Sequence, residues 1–240
     1  MKKSKLAKVL TVSLAALMVF GLASCGGGSG KVSDKDITVI SREEGSGTRD
    51  AFTELTGVLQ DDVDKTVDTA EISNSTSVVT QSVAGNDAAI GYISLGSLDD
   101  TVKAVKVDGV EATVDNIKSG DYKIQRPFNI VTKGEVKELP ADFIKFIMSK
   151  DGQKIIEDEG YISVNDNAEA YKASGLKGSI TLAGSTSVSP VMEVLADKYK
   201  ELNSGVTIEI QQTGSGAGIQ STTEGVCDIG MASRELKDEE

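Results

Sequence analysis

The sequence predicts an α/β protein with a mainly parallel sheet, because one short pattern recurs three times along the chain. Each time, an apolar run stops at a polar loop that is rich in Gly, Ser and Thr, and a helical spacing of apolar residues follows. The three loops are residues 41–48, 184–189 and 213–218. Alternation of strands and helices with such short connections is typical of α/β folds with parallel strands.

The spacing of apolar residues predicts the elements before residue 160 in chain order. Asp108 and Gly109 predict a tight turn between two of the strands. Pro140 suits the first turn of a helix, and Gly160 suits the C-terminal cap of the same helix. The predicted elements are strand 37–40, a helix through 51–58, helix 76–83, a buried strand 88–93, strands 102–107 and 110–114, an extended segment 126–131 and helix 140–158.

The elements after residue 160 continue the same order. Residues 163–177 are polar and weakly patterned, which predicts either a surface loop or a linker. The remaining predicted elements are strand 179–183, helix 191–202, strand 206–211, a short helix 219–224 and strand 227–231. This alternation extends the prediction of a mainly parallel sheet to the rest of the chain.

The N-terminal residues indicate export and a lipid anchor. Four lysines precede an apolar, uncharged run at 9–22, which is too short for an ordinary transmembrane helix and is typical of a secretion signal. The run ends in the letters LASC at 22–25, which resemble the lipobox of bacterial lipoproteins. The resemblance implies a signal peptide at 1–24 and a lipid on the thiol of Cys25, with a flexible, glycine-rich linker at 25–36.

Charge and composition exclude several classes of function. Removing residues 1–24 changes the net charge from −12 to −16, and so acidic a protein lacks the basic surface that nucleic acids need. The sequence has no histidine, which excludes Ser-His-Asp and Cys-His catalysis and histidine-based zinc sites. With Cys25 lipidated, Cys227 has no cysteine with which to form a disulfide. We expect no nucleic-acid partner, no metal and no cofactor.

The three polar loops are the candidate functional site. A helix that begins after such a loop offers free backbone N–H groups and a partial positive charge, which attract a small anion. Glycine lets the backbone approach the anion closely, and Ser and Thr hydroxyls donate further hydrogen bonds. Arg42 adds a planar guanidinium that suits a tetrahedral oxyanion. Because such loops gather at the carboxyl ends of the strands, we expect all three to converge on one anion.

Each loop also fits other interpretations. Taken alone, any of them fits an ordinary helix N-cap. Residues 214–221 lack the lysine of a P-loop, no Gly-x-Ser-x-Gly nucleophile elbow is present, and no loop has the spacing of a dinucleotide fingerprint. A secreted phosphatase is disfavoured by the missing histidines and by the lack of a dense carboxylate cluster at metal-ligand spacing.

Five segments resemble the phosphate-binding proteins of phosphate ABC transporters, the PstS type. They are ITVISREEGSGTRDAF at 37–52, the stretch from NST at 74–76 through AIGYI at 89–93, SITLAGSTSVSP at 179–190, QQTGSGAG at 211–218 and CDIGMASREL at 227–236. The resemblance implies a periplasmic-binding-protein-like (type II) fold, in which two α/β domains joined by a hinge close around one phosphate. The domains are expected at 37–126, with the REEGSGT loop, and at 127–240, with the crossover strand, helix 140–158, loop 163–177 and the GSTS and GSGAG loops.

The resemblance also implies which residues hold phosphate. The first domain would supply Arg42, Ser46, Gly47 and Thr48, and the second Thr186, Ser187, Ser215 and Ser233. It implies an extracytoplasmic, lipid-anchored protein that is not an enzyme and that passes inorganic phosphate to the permease subunits of an ABC importer. The alternative is a binding protein for another tetrahedral oxyanion, such as sulfate, molybdate or tungstate, and a secreted phosphatase is a more distant one.

One departure from the family pattern lies in the site itself. Ser233 stands where the family has an aspartate that accepts the proton of hydrogen phosphate. A serine does not repel sulfate, which carries no proton, as a carboxylate would, and this weakens the prediction of selectivity for phosphate. Glu43 or Glu44 is a candidate for the missing acceptor.

Two further departures concern the order and extent of the chain. The REEGSGT loop comes before the GSTS loop, the reverse of the usual family order. This indicates a circular permutation joined through residues 163–177, which is mild when termini lie close together at the surface. The family segment that links SREL to the REEGSGT strand is missing after Glu240, so we expect a C-terminally incomplete chain with one incomplete domain and exposed apolar surface.

Overall fold

The structure is a computed structural model that describes residues 36–240. The predicted signal peptide at 1–24 and the predicted lipidation of Cys25 lie outside these residues. The strands are β1 Thr38–Arg42, β2 Leu59–Gln60, β3 Val63–Asp64, β4 Glu71–Ser73, β5 Ala89–Gly91, β6 Asn129–Val131, β7 Gly178–Gly184, β8 Val206–Gln212 and β9 Ile229–Ala232. The helices are α1 Gly47–Thr56, α2 Thr76–Ala84, α3 Val114–Lys118, α4 Glu138–Ile147, α5 Lys150–Asp158, α6 Ser189–Leu202 and α7 Ser215–Glu224.

Two sheets organise these elements. The first has the strand order β4-β1-β5, and β1 is parallel to both of its neighbours. The second has the order β6-β9-β7-β8, in which β7 is parallel to β8 and to β9, while β6 runs antiparallel to β9. Strands β2 and β3 form a small antiparallel pair. The prediction of an α/β fold with mainly parallel strands is confirmed.

The three-stranded sheet lies within residues 37–126 and the four-stranded sheet within 127–240. We call the parts of the chain that carry these sheets the first half and the second half. The described residues form one compact unit, and the division into two domains joined by a hinge at these bounds stays a prediction.

The hydrophobic core lies in the second half, where helices α4 and α6 cover the four-stranded sheet. Leu182 of β7 and Ile229 of β9 are fully buried in it. Tyr199 of α6 packs against Phe143 and Phe146 of α4, with ring centroids 5.0 and 5.6 Å apart. Aromatic pairs at these distances add to the free energy gained by burying their area, so this half is a stable base for the loops that follow its strands.

One face of the three-stranded sheet is open to solvent at its outer strands. The strand register places Val39, Ile72 and Ile90 on that face, and Ile72 is 59% exposed and Ile90 46% exposed. Helix α2 covers the opposite face, where Gly91 leaves room for Val79. The prediction of a buried strand at 88–93 is therefore correct for the strand and wrong for its burial, because helix α2 covers one face alone.

Residues 163–177 form a surface loop that is fixed to the second half by polar contacts. The carboxylate of Asp142 accepts hydrogen bonds from the hydroxyls of Tyr171, Ser174 and Tyr199. The side-chain oxygen of Asn203 accepts hydrogen bonds from two backbone N–H groups of the same loop. Of the two predictions for this segment, the surface loop is the correct one. Its role as the join of a circular permutation stays a prediction.

Two predictions about the middle of the chain are wrong. Residues 102–107 and 110–114 are not strands: they meet in one isolated bridge between Val107 and Val110, around the predicted turn at Asp108 and Gly109. Within residues 36–240 no third strand pairs with them, so their alternating pattern has no sheet to join. Helix 140–158 is two helices, because Ser149 accepts a hydrogen bond from the N–H of Gly152 and thereby caps α5.

The start of the last helix also differs from its prediction. Helix α7 begins at Ser215 rather than at residue 219, so most of the GSGAG loop is the first turn of the helix. Gly214, with φ of 87°, makes the turn into the helix. A side chain at Gly218 would overlap the backbone of Ala183 and Gly184. Close packing of α7 on β7 therefore explains a helix that the local glycine content disfavours.

Candidate anion-binding site

Four helix N-termini meet where the two halves of the chain face each other. Helices α1 and α2 belong to the first half, and α6 and α7 belong to the second. Helices α1, α6 and α7 follow the carboxyl ends of strands β1, β7 and β8, as the sequence predicted. The fourth, α2, begins at Thr76. Each of these helices has at least nine residues, so each presents a full N-terminal turn with its partial positive charge.

A chain of hydroxyl groups joins these N-termini. Its members, which we call the hydroxyl cluster, are Thr48, Thr76, Thr186, Ser187, Ser215 and Ser233. The closest contacts cross between the halves: the Oγ1 of Thr48 and the Oγ of Ser187 lie 2.8 Å apart, and the Oγ of Ser187 lies 3.0 Å from the Oγ1 of Thr76. A hydroxyl both donates and accepts, so the cluster can redirect its hydrogen bonds toward an anion.

Arg42 ends β1 and points its guanidinium into the cluster. The side chain is 2% exposed, and its two terminal nitrogens donate to Thr76 Oγ1 at 3.3 Å and to Thr186 Oγ1 at 3.1 Å. Its other hydrogen bonds go to the carboxylate of Glu43, at 2.8 and 2.9 Å, and to a backbone carbonyl. The carboxylate of Glu43 therefore holds the guanidinium so that it faces the hydroxyls.

Arg126 supplies a second guanidinium from the extended segment before β6. It donates to Thr48 Oγ1 at 3.0 Å and to the backbone carbonyl of Ser233, and it lies over the ring of Phe128 at 5.6 Å. In residues 36–240 it makes no ion pair with a carboxylate. Withdrawal from water, together with the positive charge of Arg42, lowers the pKa of the Arg126 guanidinium to about 10. An anion beside it would offset both effects.

Glycine is required at 47 because the halves approach each other there. A side chain at Gly47 would overlap Ser215 Oγ and come within 2.9 Å of Ser215 Cβ. Next to this contact, the N–H of Gly216 donates a hydrogen bond to the carbonyl oxygen of Gly45 at 3.0 Å. These contacts bury the hydroxyl cluster, in which Thr186 has the largest exposed fraction, 6%.

The structure brings together most of the residues that the sequence predicted for the site. Those in the hydroxyl cluster or in direct contact with it are Arg42, Gly47, Thr48, Thr186, Ser187, Ser215 and Ser233. Ser46 lies beside them, but its hydroxyl accepts a hydrogen bond from the N–H of Arg49 and caps α1. Neither candidate acceptor touches the hydroxyls: Glu43 binds Arg42 with both carboxylate oxygens, and Glu44 is exposed.

Sequence reasoning missed Arg126 and Thr76. Arg126 was predicted as the start of an extended segment and belongs to no recognisable loop motif. Its residue type could have drawn attention to it, because arginine is rare in this sequence: four of the 25 basic residues are arginines. Arg is favoured over Lys where a fixed set of hydrogen bonds is needed. Thr76 follows Ser75 at the start of a correctly predicted helix, but no glycine marks the turn as a ligand loop.

The described part of the chain lacks two features that would suggest other functions. No group of three or more His, Cys, Asp or Glu residues there could hold a metal ion. Among the helices of residues 36–240, none combines the length and the apolar character that crossing a membrane requires.

Comparison with known sequences places the chain in a family. A family model described as a PBP superfamily domain matches residues 28–151 and 169–240. Phosphate-binding protein PstS 2 of Streptococcus agalactiae serotype V is 52% identical over 243 residues, which cover 98% of this chain and 82% of that protein. PstS 2 of Streptococcus pneumoniae serotype 4 is 49% identical over 98% of this chain and 84% of its own length.

Comparison with solved structures agrees. The crystal structure of the phosphate-binding protein of a phosphate ABC transporter from Streptococcus pneumoniae matches with a TM-score of 0.68 and 50% identity, over 85% of this chain and 81% of that one. A putative phosphate ABC transporter substrate-binding protein from Clostridium perfringens, solved with bound phosphate, matches with a TM-score of 0.52 and 46% identity, over 55% of this chain and 54% of that one. This chain belongs to the PBP superfamily and, within it, to the PstS family of phosphate-binding proteins.

Proposed function

We propose that this protein captures inorganic phosphate outside the cytoplasm and delivers it to an ABC importer. Relatives at about half identity over nearly the whole chain are named phosphate-binding proteins, and one similar structure holds phosphate. The protein is a substrate-binding protein and not an enzyme. The finer parts of the proposal are a lipid anchor at Cys25 and delivery to the permease subunits of the importer.

The observation that carries the proposal is the convergence of two guanidinium groups and six hydroxyls on four helix N-termini. Hydrogen phosphate is a compact dianion with four oxygens, so it can accept from all of these donors at once. Arg42 is partly neutralised by Glu43, which leaves Arg126 as the charge without a carboxylate partner among the described residues. We propose Arg42, Ser46, Gly47, Thr48, Thr186, Ser187, Ser215 and Ser233 as phosphate-binding residues, together with Arg126 and Thr76.

An acidic protein can bind an anion in this way because the site acts at contact distance. Exposed carboxylates further than about 8 Å away are largely screened at physiological salt. The donors of the site are buried, so their interaction with an anion is screened far less. The cluster is so deeply buried that phosphate can reach it only when the two halves separate, and closing them again would exclude water from the bound anion.

Calorimetry tests the proposal directly. Titration of the purified protein with phosphate should give one site per chain, and titration with sulfate should give weaker binding. Equal affinity for sulfate would favour a general oxyanion-binding protein, and no binding of phosphate would refute the proposal. Hydrolysis of a chromogenic phosphate ester would return the phosphatase as a candidate.

Selectivity can be tested at Ser233. Its Oγ lies 3.3 Å from Thr48 Oγ1 and 3.5 Å from Ser215 Oγ, and the hydroxyl cluster contains no carboxylate. Ser233→Asp should raise the ratio of phosphate to sulfate affinity by at least about tenfold, because a carboxylate accepts the proton of hydrogen phosphate and repels the proton-free sulfate. Ser233→Asn is the control, because asparagine has nearly the shape of aspartate but carries no charge. An unchanged ratio in Ser233→Asp would show that another group sets selectivity.

A further inference from the structure

Arg234 joins the two halves beside the site without entering it. The residue follows Ser233 in the second half and is 4% exposed. Its Nε donates to Oδ2 of Asp50 in helix α1 at 3.0 Å. Its terminal nitrogens donate to the carboxylate of Glu240, each at 2.7 Å. None of its hydrogen bonds goes to the hydroxyl cluster. The guanidinium instead binds two carboxylates and a backbone carbonyl of the protein.

The Asp50–Arg234 pair is placed where it resists separation of the halves. Asp50 lies in the first turn of α1, and the aliphatic stem of Arg234 lies against Gly47, at the start of the same helix. A backbone hydrogen bond from the N–H of Gly216 to the carbonyl oxygen of Gly45 joins the same two parts of the chain, and we call this contact region the seam. Glu240 holds the guanidinium of Arg234 from the other side, which fixes its orientation toward α1.

A low-exposure ion pair of this kind is lost when the halves move apart. The Asp50 side chain is 27% exposed and that of Arg234 5% exposed, so water screens their interaction less than that of a surface pair. Because the pair lies outside the cluster, its loss should change how long the halves stay together without removing a phosphate ligand.

On the basis of the proposed phosphate binding, we propose that the Asp50–Arg234 ion pair is a latch that keeps the halves closed and slows the release of phosphate. The latch acts on closure, so it affects the dissociation rate far more than the association rate. Asp50 and Arg234 are positioning residues in this proposal, since neither touches the ligand.

The chain offers a matched control one residue away from Asp50. Arg49 makes an ion pair with Asp64, whose carboxylate lies 2.7 Å from the nearest guanidinium nitrogen. Both residues belong to the first half, and Asp64 is 24% exposed, close to the value for Asp50. Asp50→Asn and Asp64→Asn therefore remove the same charge from side chains of similar exposure, but the first alone breaks a contact between the halves.

The test measures the release of inorganic phosphate. Protein loaded with radiolabelled phosphate is mixed with excess unlabelled phosphate, and the loss of bound label is followed in time. Asp50→Asn should release phosphate about tenfold faster than the wild type, the effect of losing one charge-assisted hydrogen bond. Asp64→Asn should stay within about twofold, and Asp50→Glu, which keeps the charge, should recover part of the slow release. Equal release rates in Asp50→Asn and Asp64→Asn would overturn the latch.

Hydrogen exchange separates failure of the latch from failure of the proposed function. The amide of Gly216 reports the seam directly, because its partner is across it. With a latch, this amide exchanges faster in Asp50→Asn than in Asp64→Asn. If the wild type bound no phosphate, the proposed function would fail while this comparison still decided the latch; equal exchange in the two variants would overturn it.

Discussion

Replacing Arg42 with alanine should weaken phosphate binding by at least about thirtyfold. Truncating one partner of a buried, hydrogen-bonded charge pair costs about 2–5 kcal/mol of binding free energy, and each 1.4 kcal/mol is about a factor of ten in affinity. The guanidinium of Arg42 directs two hydrogen bonds at cluster hydroxyls, so its removal takes two donors and a positive charge from the site. Calorimetry with phosphate measures the change.

Two other variants make this result specific. Arg42→Lys keeps the charge but loses the planar fork, and it should recover only part of the affinity. Arg49→Ala removes the same charge seven residues along the chain, from a guanidinium paired with Asp64, and it should change phosphate affinity by less than about fivefold. Wild-type affinity in Arg42→Ala, in a protein shown to be folded by circular dichroism, would contradict the site.

The strand-loop-helix units could be predicted from sequence because their signals are local. β1, β7 and β8 are short apolar runs, and each stops at a loop whose composition fits a helix start. The prediction of the convergent loops followed from a general property of parallel sheets, whose carboxyl ends lie at one edge. That property brings the loops of one sheet together, and the facing of the two halves brings the two sets into contact. Seven of the eight predicted site residues lie in or against the hydroxyl cluster, and Ser46 lies beside them as a cap.

What sequence reasoning missed depends on contacts between distant segments. The alternating apolar residues around Val107 and Val110 resemble a hairpin, but tertiary context decides whether such residues pair further. Helix α7 starts four residues early because Gly218 allows it to pack closely on β7. Arg126 is brought to Thr48 across a sequence separation of 78 residues, which no local pattern can indicate.

Side-chain contacts that the sequence does not reveal also bear on selectivity for phosphate over sulfate. Glu43 and Glu44 are adjacent in sequence to Arg42 and were both candidates for a proton acceptor. In the structure, both carboxylate oxygens of Glu43 accept hydrogen bonds from Arg42, and Glu44 is exposed to solvent. The side chains that the guanidinium of Arg42 faces in the cluster are hydroxyls, which donate as readily as they accept. We therefore expect this site to recognise charge and shape more strongly than it recognises the proton that distinguishes hydrogen phosphate from sulfate.

Arg126→Met should weaken phosphate binding by at least about tenfold, the effect of losing a charge-assisted hydrogen bond. It should do so without lowering the melting temperature of the ligand-free protein. The lowered pKa of Arg126, about 10, means that its surroundings disfavour the charged form. Compared with a neutral group, the charged guanidinium is therefore less favourable in the folded chain than in the unfolded chain at every pH below that value, and this difference fades only as the folded protein loses the proton above it. Methionine fills a similar volume and carries no charge.

The two measurements together distinguish a binding role from a structural one. If Arg126 served mainly to support the fold, Arg126→Met would lower the melting temperature and the phosphate affinity together. Arg49→Met is the control, since it removes a guanidinium that has a carboxylate partner, and it should lower stability slightly while affinity stays close to that of the wild type. A guanidinium that costs stability without phosphate and adds affinity with it is retained for its ligand, because a site selected for stability alone would replace it.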